Sequence, residues 1–451
     1  MYKNLVDLKA AVSPWAEVGD GKVNVKDIKA FPRTKADELA YNAVFSPDAQ
    51  VKEQCRRLIR ETALKLGIVS SSIQPLYEAA GRVEYHNKTV PAMNIRGITY
   101  HVARRVFRAA MKQRVGAFVF EIARSEIGYT EQRPGEYSAC VLAAAIREGF
   151  TGPVFIQGDH FQFNAKKFST EPDAETNALK DLVKEAIAAD FLNIDIDAST
   201  LVDISLPTLE KQQENNYRMT AEMTRFVRSL QPKGVTVSVG GEIGEVGKAN
   251  STVEDLAAFM DGYRKALGGS AKGITKISVQ TGTKHGGVVM PDGAIAKVKV
   301  DFETLGKLSQ AAREKYGMAG AVQHGASTLP DDAFDHFPRV GTAEIHLATG
   351  FQNIIYQSPR FPKDLLNRID QHIREKHAKE RKQGDTEEQF IYENRKRAFG
   401  PFKKEMWDLP EPVMNEIMGT LEERFGLLFS KLNIADTVDL VSKYVNTPVS
   451  F

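Results

Sequence analysis

The sequence has few cysteines, no long hydrophobic run and no excess of charge of either sign. Its 451 residues include two cysteines, Cys55 and Cys140, which stand far apart and in no metal-ligand spacing. Neither a disulfide framework nor a CxxC site is therefore expected. No run of about 18 apolar residues predicts a membrane-spanning helix, and the first residues, MYKNLVDLKAAV, lack the apolar core of a secretory signal. These absences favour a cytoplasmic protein with no membrane partner.

Charge and composition indicate a large globular protein. The 60 basic and 58 acidic residues leave a formal net charge of +2, so bulk charge indicates no nucleic-acid partner. With 42% hydrophobic residues, the chain can bury a sizeable core. A length of 451 residues suits one barrel of about 250 residues that carries extensions at both ends.

Residues 88 to 358 alternate short apolar, β-branched runs with longer amphipathic stretches, which is typical of repeated β-α units. The eight candidate strands are TVPAMNI, GAFVFEI, GPVFIQGD, FLNIDID, VTVSVGGE, ITKISVQT, AGAVQH and GTAEIHL. Eight such units close a (β/α)8 TIM barrel, which is the predicted α/β fold. An open doubly wound sheet is the competing architecture, but no GxGxxG follows the first strand.

Two extensions flank the predicted barrel. Residues 1–87 are predicted to be a helical N-terminal extension that packs against the barrel 88–358, and residues 359–451 a helical C-terminal extension. The segment Lys363 to Arg397 is rich in Lys, Glu and Arg, which is typical of an exposed, solvated helix. A mobile lid and a subunit contact are the alternatives for this segment.

Polar residues gather at the ends of the candidate strands, where barrel enzymes place their active sites. They are Asn94, Glu121, Asp159, His160, Asp197, Glu242, His324 and His346. His160, His285 and His324 follow the third, sixth and seventh strands, each beside glycine or aspartate. A single histidine there is more often an ordinary hydrogen-bonding group, but three of them favour a catalytic metal site with an open position.

Small residues after the later strands indicate an anion site. The candidates are Gly286, Gly287, Gly325, Ser327 and Thr349. Glycine leaves backbone N–H groups free to surround an anion, and phosphate-binding barrels use the loops after their later strands in this way. Each residue alone is compatible with an ordinary tight turn, whereas their clustering favours phosphate.

In combination, these residues resemble the class II, metal-dependent fructose-bisphosphate aldolases and their ketose-bisphosphate relatives. The family has an Asp-His pair after the third strand, which Asp159–His160 matches, and a Glu-x-Gly after the fifth, which Glu242–Gly244 matches. It has a His-Gly after the sixth strand, matched by His285–Gly286, and a His-Gly-x-Ser after the seventh, matched by His324–Ser327. Its Pro-Ala-x-Asn in the first strand is matched by Pro91 to Asn94. The resemblance covers about residues 88 to 358, and the order of the motifs makes it specific.

The resemblance implies a reaction and a role for each residue. His160, His285 and His324 would ligate Zn²⁺ or another divalent transition metal, with Glu242 as an auxiliary ligand and Asp197 supporting them. Asp159 would move the proton of the C4 hydroxyl. The residues implied to contact a phosphorylated ketose, such as fructose or tagatose 1,6-bisphosphate, are Asn94, Gly286, Gly325, Ser327, His346 and Thr349.

The resemblance also implies the setting of the reaction. It predicts a carbon–carbon lyase of carbohydrate metabolism, within glycolysis and gluconeogenesis, that forms a homo-oligomer, a dimer or larger. It also allows a monovalent cation as a second cofactor.

The chain departs from the family pattern on the substrate side. The family's Asn-x-Asp-Thr in the last strand is replaced by His346, Leu347, Ala348 and Thr349. Thr328 replaces the second glycine of the phosphate loop, and the family's loop glutamate has only Glu245 as a counterpart. Two other hypotheses therefore stay open: a metal-dependent epimerase or isomerase of a ketose or keto-acid, and a non-catalytic accessory subunit of an aldolase.

Three cationic residues complete the candidates. Arg96 and Arg124 are placed where one of them could hold a second phosphate. Lys276, near the start of the sixth strand, is at the wrong end of a barrel for Schiff-base catalysis.

Overall fold

Eight parallel strands close into a barrel in the computed structural model, which describes residues 1–19, 21–244, 249–269, 271–283, 290 and 299–445. In chain order the strands are β1 Val90–Asn94, β2 Val119–Ala123, β3 Gly152–Gln162, β4 Asn193–Asp197, β5 Ser238–Gly244, β6 Lys276–Val279, β7 Ala321–Gln323 and β8 Glu344–Leu347. Each strand pairs in parallel with the next, and β8 pairs with β1. The predicted (β/α)8 barrel is confirmed, and each strand overlaps one of the eight predicted runs.

Helices surround the barrel because the longer ones turn an apolar face towards the strands. Thr99–Lys112, for example, buries Ala103, Val106 and Ala110, which recur at the three- and four-residue spacing of one helix face. The helices after β1 to β8 are Thr99–Lys112, Arg124–Tyr129, Pro134–Glu148, Ala165–Thr170, Pro172–Ala188, Leu209–Gln212, Glu214–Leu230, Val253–Leu267, Phe302–Tyr316, His336–Arg339 and Thr349–Tyr356. Short 3-10 helices lie at Ser199–Leu201, Ala326–Thr328 and Asp331–Ala333. Within the described ranges, no helix combines the length and apolarity needed to cross a membrane.

The N-terminal segment is mainly helical, with helices at Leu5–Val12, Lys35–Phe45, Ala49–Lys65 and Gln74–Gly81 and a 3-10 turn at Ile28–Ala30. It also contains strands that the sequence did not predict. Ala16–Val18 and Val23–Val25 form an antiparallel pair, and Ile68–Ser70 pairs in parallel with the start of β3. Each is three residues long, which is too short to show an alternating pattern. The boundaries at residues 87 and 358 stay a prediction.

The helix Gln74–Gly81 closes the N-terminal end of the barrel. Leu76 and Tyr77 are fully buried against residues at the start of the strands, including Val90. The Tyr77 hydroxyl donates a hydrogen bond to the carboxylate of Glu344, the first residue of β8. The barrel is therefore closed at this end, and the opposite end remains accessible.

The C-terminal segment contains helices at Lys363–Lys376, Glu387–Asn394, Lys403–Trp407, Glu411–Lys431 and Val438–Val441, with 3-10 turns at Ala378–Glu380 and Arg395–Phe399. The exposed, solvated helix predicted over Lys363 to Arg397 is divided into several shorter helices and is only partly exposed. Leu365, Ile369 and Ile373 of the first helix are buried, because their four-residue spacing places them on one face. The charged residues cover the other faces.

The interior of the barrel contains a buried charged layer beneath its open end. The Lys276 ammonium donates to Asp195 and to Gln157, both at 2.8 Å, and to Glu344. Barrel interiors are more usually filled by Val, Ile and Leu. Gly240 on β5 makes room for this layer, because a Cβ there would lie 2.4 Å from an Asp195 oxygen and 2.9 Å from the Lys276 side chain.

Candidate active site

Three of the predicted metal ligands converge at the open end of the barrel. The ligand atoms of His160, Glu242 and His324 all lie within 4.8 Å of one another. The imidazole rings of His160 and His324 have centroids 4.2 Å apart. His285 and Gly286, together with Gly287 and Glu245, lie outside the described residues.

An irregularity in β3 directs two consecutive residues into the same cleft. The pairing of β3 with β4 shifts register between Gly158 and Phe161, and His160 takes a positive φ of 39°. In a regular strand, Asp159 and His160 would point to opposite faces. A bulge turns a side chain to a new direction, and both residues line the cleft.

Asp197 supports the histidine of this pair. Its carboxylate lies 3.2 Å from Nδ1 of His160, and Glu242 lies 3.3 Å from the same nitrogen. Burial opposes a charge on His160, but Asp159 and Glu242 outweigh it and raise the pKa of the imidazole well above its usual range. Burial and the charge of Asp197 raise the pKa of Glu242 to about 7. A carboxylate behind a histidine is the usual way to fix the orientation of a metal ligand.

The donor set fits a divalent transition metal. Two imidazoles and one carboxylate are the ligand types that Zn²⁺ and related ions take in catalytic sites. Ser278 holds His324 from behind, because its hydroxyl oxygen lies 3.0 Å from Nε2 of that histidine. His160, Glu242 and His324 could therefore hold a metal, and two further overlapping groups include His346.

His346 on β8 lies among four carboxylates, of which Asp195 is the most distant, 3.8 Å from Nε2. Its Nδ1 is 3.1 Å from both Glu121 and Asp159, and its Nε2 is 2.7 Å from Glu344. Burial opposes its protonation, but Glu121 and Asp159 raise its pKa well above the usual range. Burial, followed by the charge of Asp159, raises the pKa of Glu121. His346 is thus held next to the predicted acid–base residue Asp159.

The remaining predicted residues line one cleft of about 630 Å³. Among them are Asn94, Gly325, Ser327 and Thr349, alongside Asp159 and the site histidines. The Ser327 hydroxyl accepts a hydrogen bond of 3.1 Å from the backbone N–H of Gly350, which ties the loops after β7 and β8 together. The structure therefore brings the predicted anion-binding loops to the predicted metal ligands.

The two arginines proposed for a second phosphate both line this cleft, but both are ion-paired. Arg96 lies 2.6 Å from Glu126. Arg124 pairs with Glu175 and donates to the Gln162 carbonyl at 2.7 Å. Their charges are therefore already balanced by buried carboxylates.

Sequence reasoning missed Lys396, which reaches the cleft from the C-terminal segment. It lies on the 3-10 turn Arg395–Phe399, within a stretch that its composition alone assigned to solvent. Lys396 lies within the basic run Arg395 to Arg397, which gave no signal that would separate it from the other lysines.

A family model for class II fructose-bisphosphate aldolase matches residues 74–415. The chain belongs to this family, whose members are generally dependent on a divalent metal. No curated protein sequence matches the chain.

Solved structures share the fold at low sequence identity. A fructose-bisphosphate aldolase of Campylobacter jejuni has a TM-score of 0.50 at 17% identity over 82% of this chain and 97% of its own. A probable tagatose 6-phosphate kinase of Sinorhizobium meliloti has 0.53 at 16% over 79% and 99%. The fructuronate-tagaturonate epimerase UxaE of Cohnella laeviribosi has 0.59 at 10% over 93% and 89%. These likenesses concern the fold.

Proposed function

We propose that this protein is a metal-dependent aldolase that cleaves and forms a carbon–carbon bond in a phosphorylated ketose. The substrate is fructose 1,6-bisphosphate, giving dihydroxyacetone phosphate and glyceraldehyde 3-phosphate, or a close analogue such as tagatose 1,6-bisphosphate. The observation that carries the proposal is the convergence of His160, Glu242 and His324 on one point, at a cleft that Asp159 lines together with both histidines. Membership of the class II aldolase family supports it.

The metal in this proposal is Zn²⁺ or another divalent transition ion, held by His160, Glu242, His324 and, outside the described residues, His285. When bound, it supplies Lewis-acid stabilisation of negative charge on the oxygens of the ketone half. Asp197 and Ser278 keep the ligands oriented through their contacts with His160 and His324.

The chain's own residues move the protons. In the cleavage direction, the Asp159 carboxylate takes the proton of the C4 hydroxyl, the bond between C3 and C4 breaks, and its electron pair stays with the ketone half. The C4 carbon leaves as an aldehyde, and a proton delivered to C3 completes the ketone. His346, 3.1 Å from Asp159, keeps that carboxylate in place at the base of the cleft.

The anionic group of the substrate binds in the loops after β7 and β8. Gly325, Ser327 and Thr349 line the cleft, and Gly325 takes a φ of 69°, which a glycine adopts without strain. Exposed N–H groups and hydroxyls at such loops suit a phosphate. Asn94, which accepts from Arg96 at 3.2 Å, would face a sugar hydroxyl.

A second candidate is a metal-dependent epimerase of a ketose or keto-acid. The observation that favours it is His346, which stands where the family pattern has an amide and lies between Asp159 and Glu121. A protonated imidazole beside two carboxylates could return a proton to a carbon without release of two fragments. UxaE, which shares the fold, is described as an epimerase.

The deciding experiment measures metal content and products together. We expect stoichiometric divalent metal in the purified protein and release of triose phosphates from fructose or tagatose 1,6-bisphosphate, which chelation abolishes. His324→Ala should lose both metal and activity by more than about 100-fold, because even a residue that only supports a ligand is worth about 10–100-fold. His86→Ala, at an exposed histidine away from the cleft, is the matched control.

Each other result favours a different function. Metal without cleavage, but with a new epimer of a ketose or keto-acid detected by chromatography, would support the epimerase. A protein that holds no metal and acts on none of these sugars would be the accessory subunit. A homo-oligomer and a cytoplasmic location stay predictions; sedimentation of the purified protein tests the first.

A further inference from the structure

We propose that Lys396, supplied by the C-terminal segment, binds an anionic group of the substrate, a phosphate or a carboxylate, beside Arg96 in the cleft. The inference rests on the proposed function, since it names a recognition residue of the same site. Lys396 is distinct from the anion-binding loops after β7 and β8, because it belongs to a segment outside the barrel strands and their helices.

Lys396 is available to bind an anion, because the arginines of the cleft are already ion-paired. Four cations line the cleft, namely Arg96, Arg124, Lys167 and Lys396. Lys167 is exposed to solvent, and Arg96 forms its ion pair with Glu126 at 2.6 Å. Over the described part of the chain, the Lys396 ammonium makes no hydrogen bond or ion pair, whereas Arg124 in the same cleft is paired with Glu175. Glu126 neutralises only one of the two positive charges of Arg96 and Lys396, so an anion bound at Lys396 would neutralise the other.

The environment of Lys396 penalises an unpaired charge. Its side chain is partly buried, and burial, followed by the neighbouring charge of Arg96, lowers its pKa. A partly desolvated ammonium gains more from a bound anion than an exposed one does. The carboxylates Asp159 and Glu121 on β3 and β2 also line the cleft and repel anions, so the anionic group of a substrate is stabilised beside Arg96 and Lys396.

The turn that carries Lys396 is fixed to the barrel on three sides. Phe399 packs on Gly97, where a Cβ would come within 2.5 Å of its ring and where φ is 76°. Arg395 donates to Asn353 at 2.6 Å, and its carbonyl accepts a hydrogen bond of 3.2 Å from the Tyr356 hydroxyl; both partners lie on the helix after β8. Lys396 is therefore held in position before a ligand arrives, which reduces the entropy cost of binding.

A fourth anchor follows the turn directly. The Lys403 ammonium lies 2.8 Å from both Glu136 and the Glu131 carbonyl, and Glu136 belongs to the helix after β2, Pro134–Glu148. A rigid turn that presents one unpaired ammonium to the cleft fits a role in binding better than a role in stability, because the other two cations of this turn, Arg395 and Arg397, already have partners in Asn353 and Glu380.

The test uses three polyols that carry no ketone and so cannot turn over: D-mannitol 1,6-bisphosphate, D-mannitol 1-phosphate and D-mannonate. Calorimetric titration compares wild type with Lys396→Gln, Lys396→Arg and the exposed-site control Lys379→Gln. We expect Lys396→Gln to weaken binding of at least one anion about tenfold, Lys396→Arg to retain it within about threefold, and Lys379→Gln to match wild type. Unchanged melting temperature confirms that the variants are folded.

The ligands that bind more weakly to Lys396→Gln identify the anionic group that Lys396 contacts. A loss for the bisphosphate but not the monophosphate assigns Lys396 to a second phosphate, and a loss for mannonate assigns it to a carboxylate. Equal affinities of wild type and Lys396→Gln for all three, or no binding by wild type, would overturn the inference. Because these titrations involve no turnover, they give the same answer whether or not the protein cleaves a ketose; where it does, Lys396→Gln should raise KM and leave kcat within about twofold.

Discussion

The two sides of the active-site cleft differ in how closely they follow the aldolase family. The metal side, His160, Glu242 and His324 on or after β3, β5 and β7, carries the family's motifs and brings its ligand atoms within 4.8 Å of one another. The floor, Glu121, Glu344 and His346 on β2 and β8, replaces the family's amide and acid with a histidine among carboxylates. The changes therefore fall in the part of the cleft that is proposed to contact the sugar, whereas His160, Glu242 and His324 keep the family's motifs.

The sharpest test of this contrast is Asp159, which touches both sides. Asp159→Asn keeps the size of the side chain but removes the base, so kcat should fall by about 10²–10⁴-fold. Metal content should stay at the wild-type level, since Asp159 is not among the proposed ligands. Steady-state kinetics and metal analysis check this together; loss of metal in the variant would show that the two sides do not act separately.

The next largest effect is on stability and concerns Lys276, which pairs with Glu344 of the floor. Lys276→Met removes the buried cation that pairs with Asp195 and Glu344, so the free energy of unfolding should fall by about 3–5 kcal/mol. Lys307→Met, at an exposed lysine that pairs with Glu303 on one helix, should change it by less than about 0.5 kcal/mol. Denaturant unfolding of both variants gives the comparison.

The same variant predicts a dependence on pH. Burial opposes ionisation of Glu344, but Lys276 outweighs burial and lowers the pKa of Glu344 in the wild type. The ionised carboxylate therefore stabilises the fold at pH values above the pKa that Glu344 has in the unfolded chain, and this stabilisation is lost as the pH falls. Without Lys276, burial raises the pKa of Glu344 in the folded chain, and the carboxylate is protonated more readily. The difference between wild type and Lys276→Met should therefore be larger at pH 8 than at pH 5; an equal difference would mean that Lys276 acts by packing alone.

The smallest effect concerns Asp197, whose carboxylate orients His160 on the metal side. Asp197→Asn leaves Glu242 and the histidines in place but weakens the partner 3.2 Å from His160, so metal affinity should fall by about 10–100-fold. Competition with a chelator measures it. A loss of protein stability as large as that of Lys276→Met would instead show that Asp197 belongs with the buried charges of the floor.

The fold and the metal side could be predicted because their signals are local. Strand and helix periods alternate along the chain, and a polar residue at the end of an apolar run marks the open end of a barrel. His160, Glu242 and His324 stand at such ends, so their meeting follows from the closure of the barrel. The resemblance added their roles.

Glu121 and His346 were predicted at strand ends, but the contacts that build the floor, and Lys396, could not be predicted from the same signals. Glu344 begins its strand, and nothing local shows that it and Glu121 both point inward to His346. Lys276 begins its strand as predicted, but its link through Glu344 to His346 depends on the stagger of neighbouring strands. Lys396 lies some fifty residues after β8, and only tertiary packing brings it to the cleft.

The bulge in β3 also limits how this site can evolve. Asp159 and His160 share the cleft because the strand holds one residue more than its partner requires. Deletion of a residue there would restore a regular ladder and turn one of the two side chains towards the surrounding helices. The proposed base and its neighbouring proposed ligand therefore depend on one bulge: a substitution in β8 leaves both in the cleft, whereas a length change in β3 would separate them in a single step.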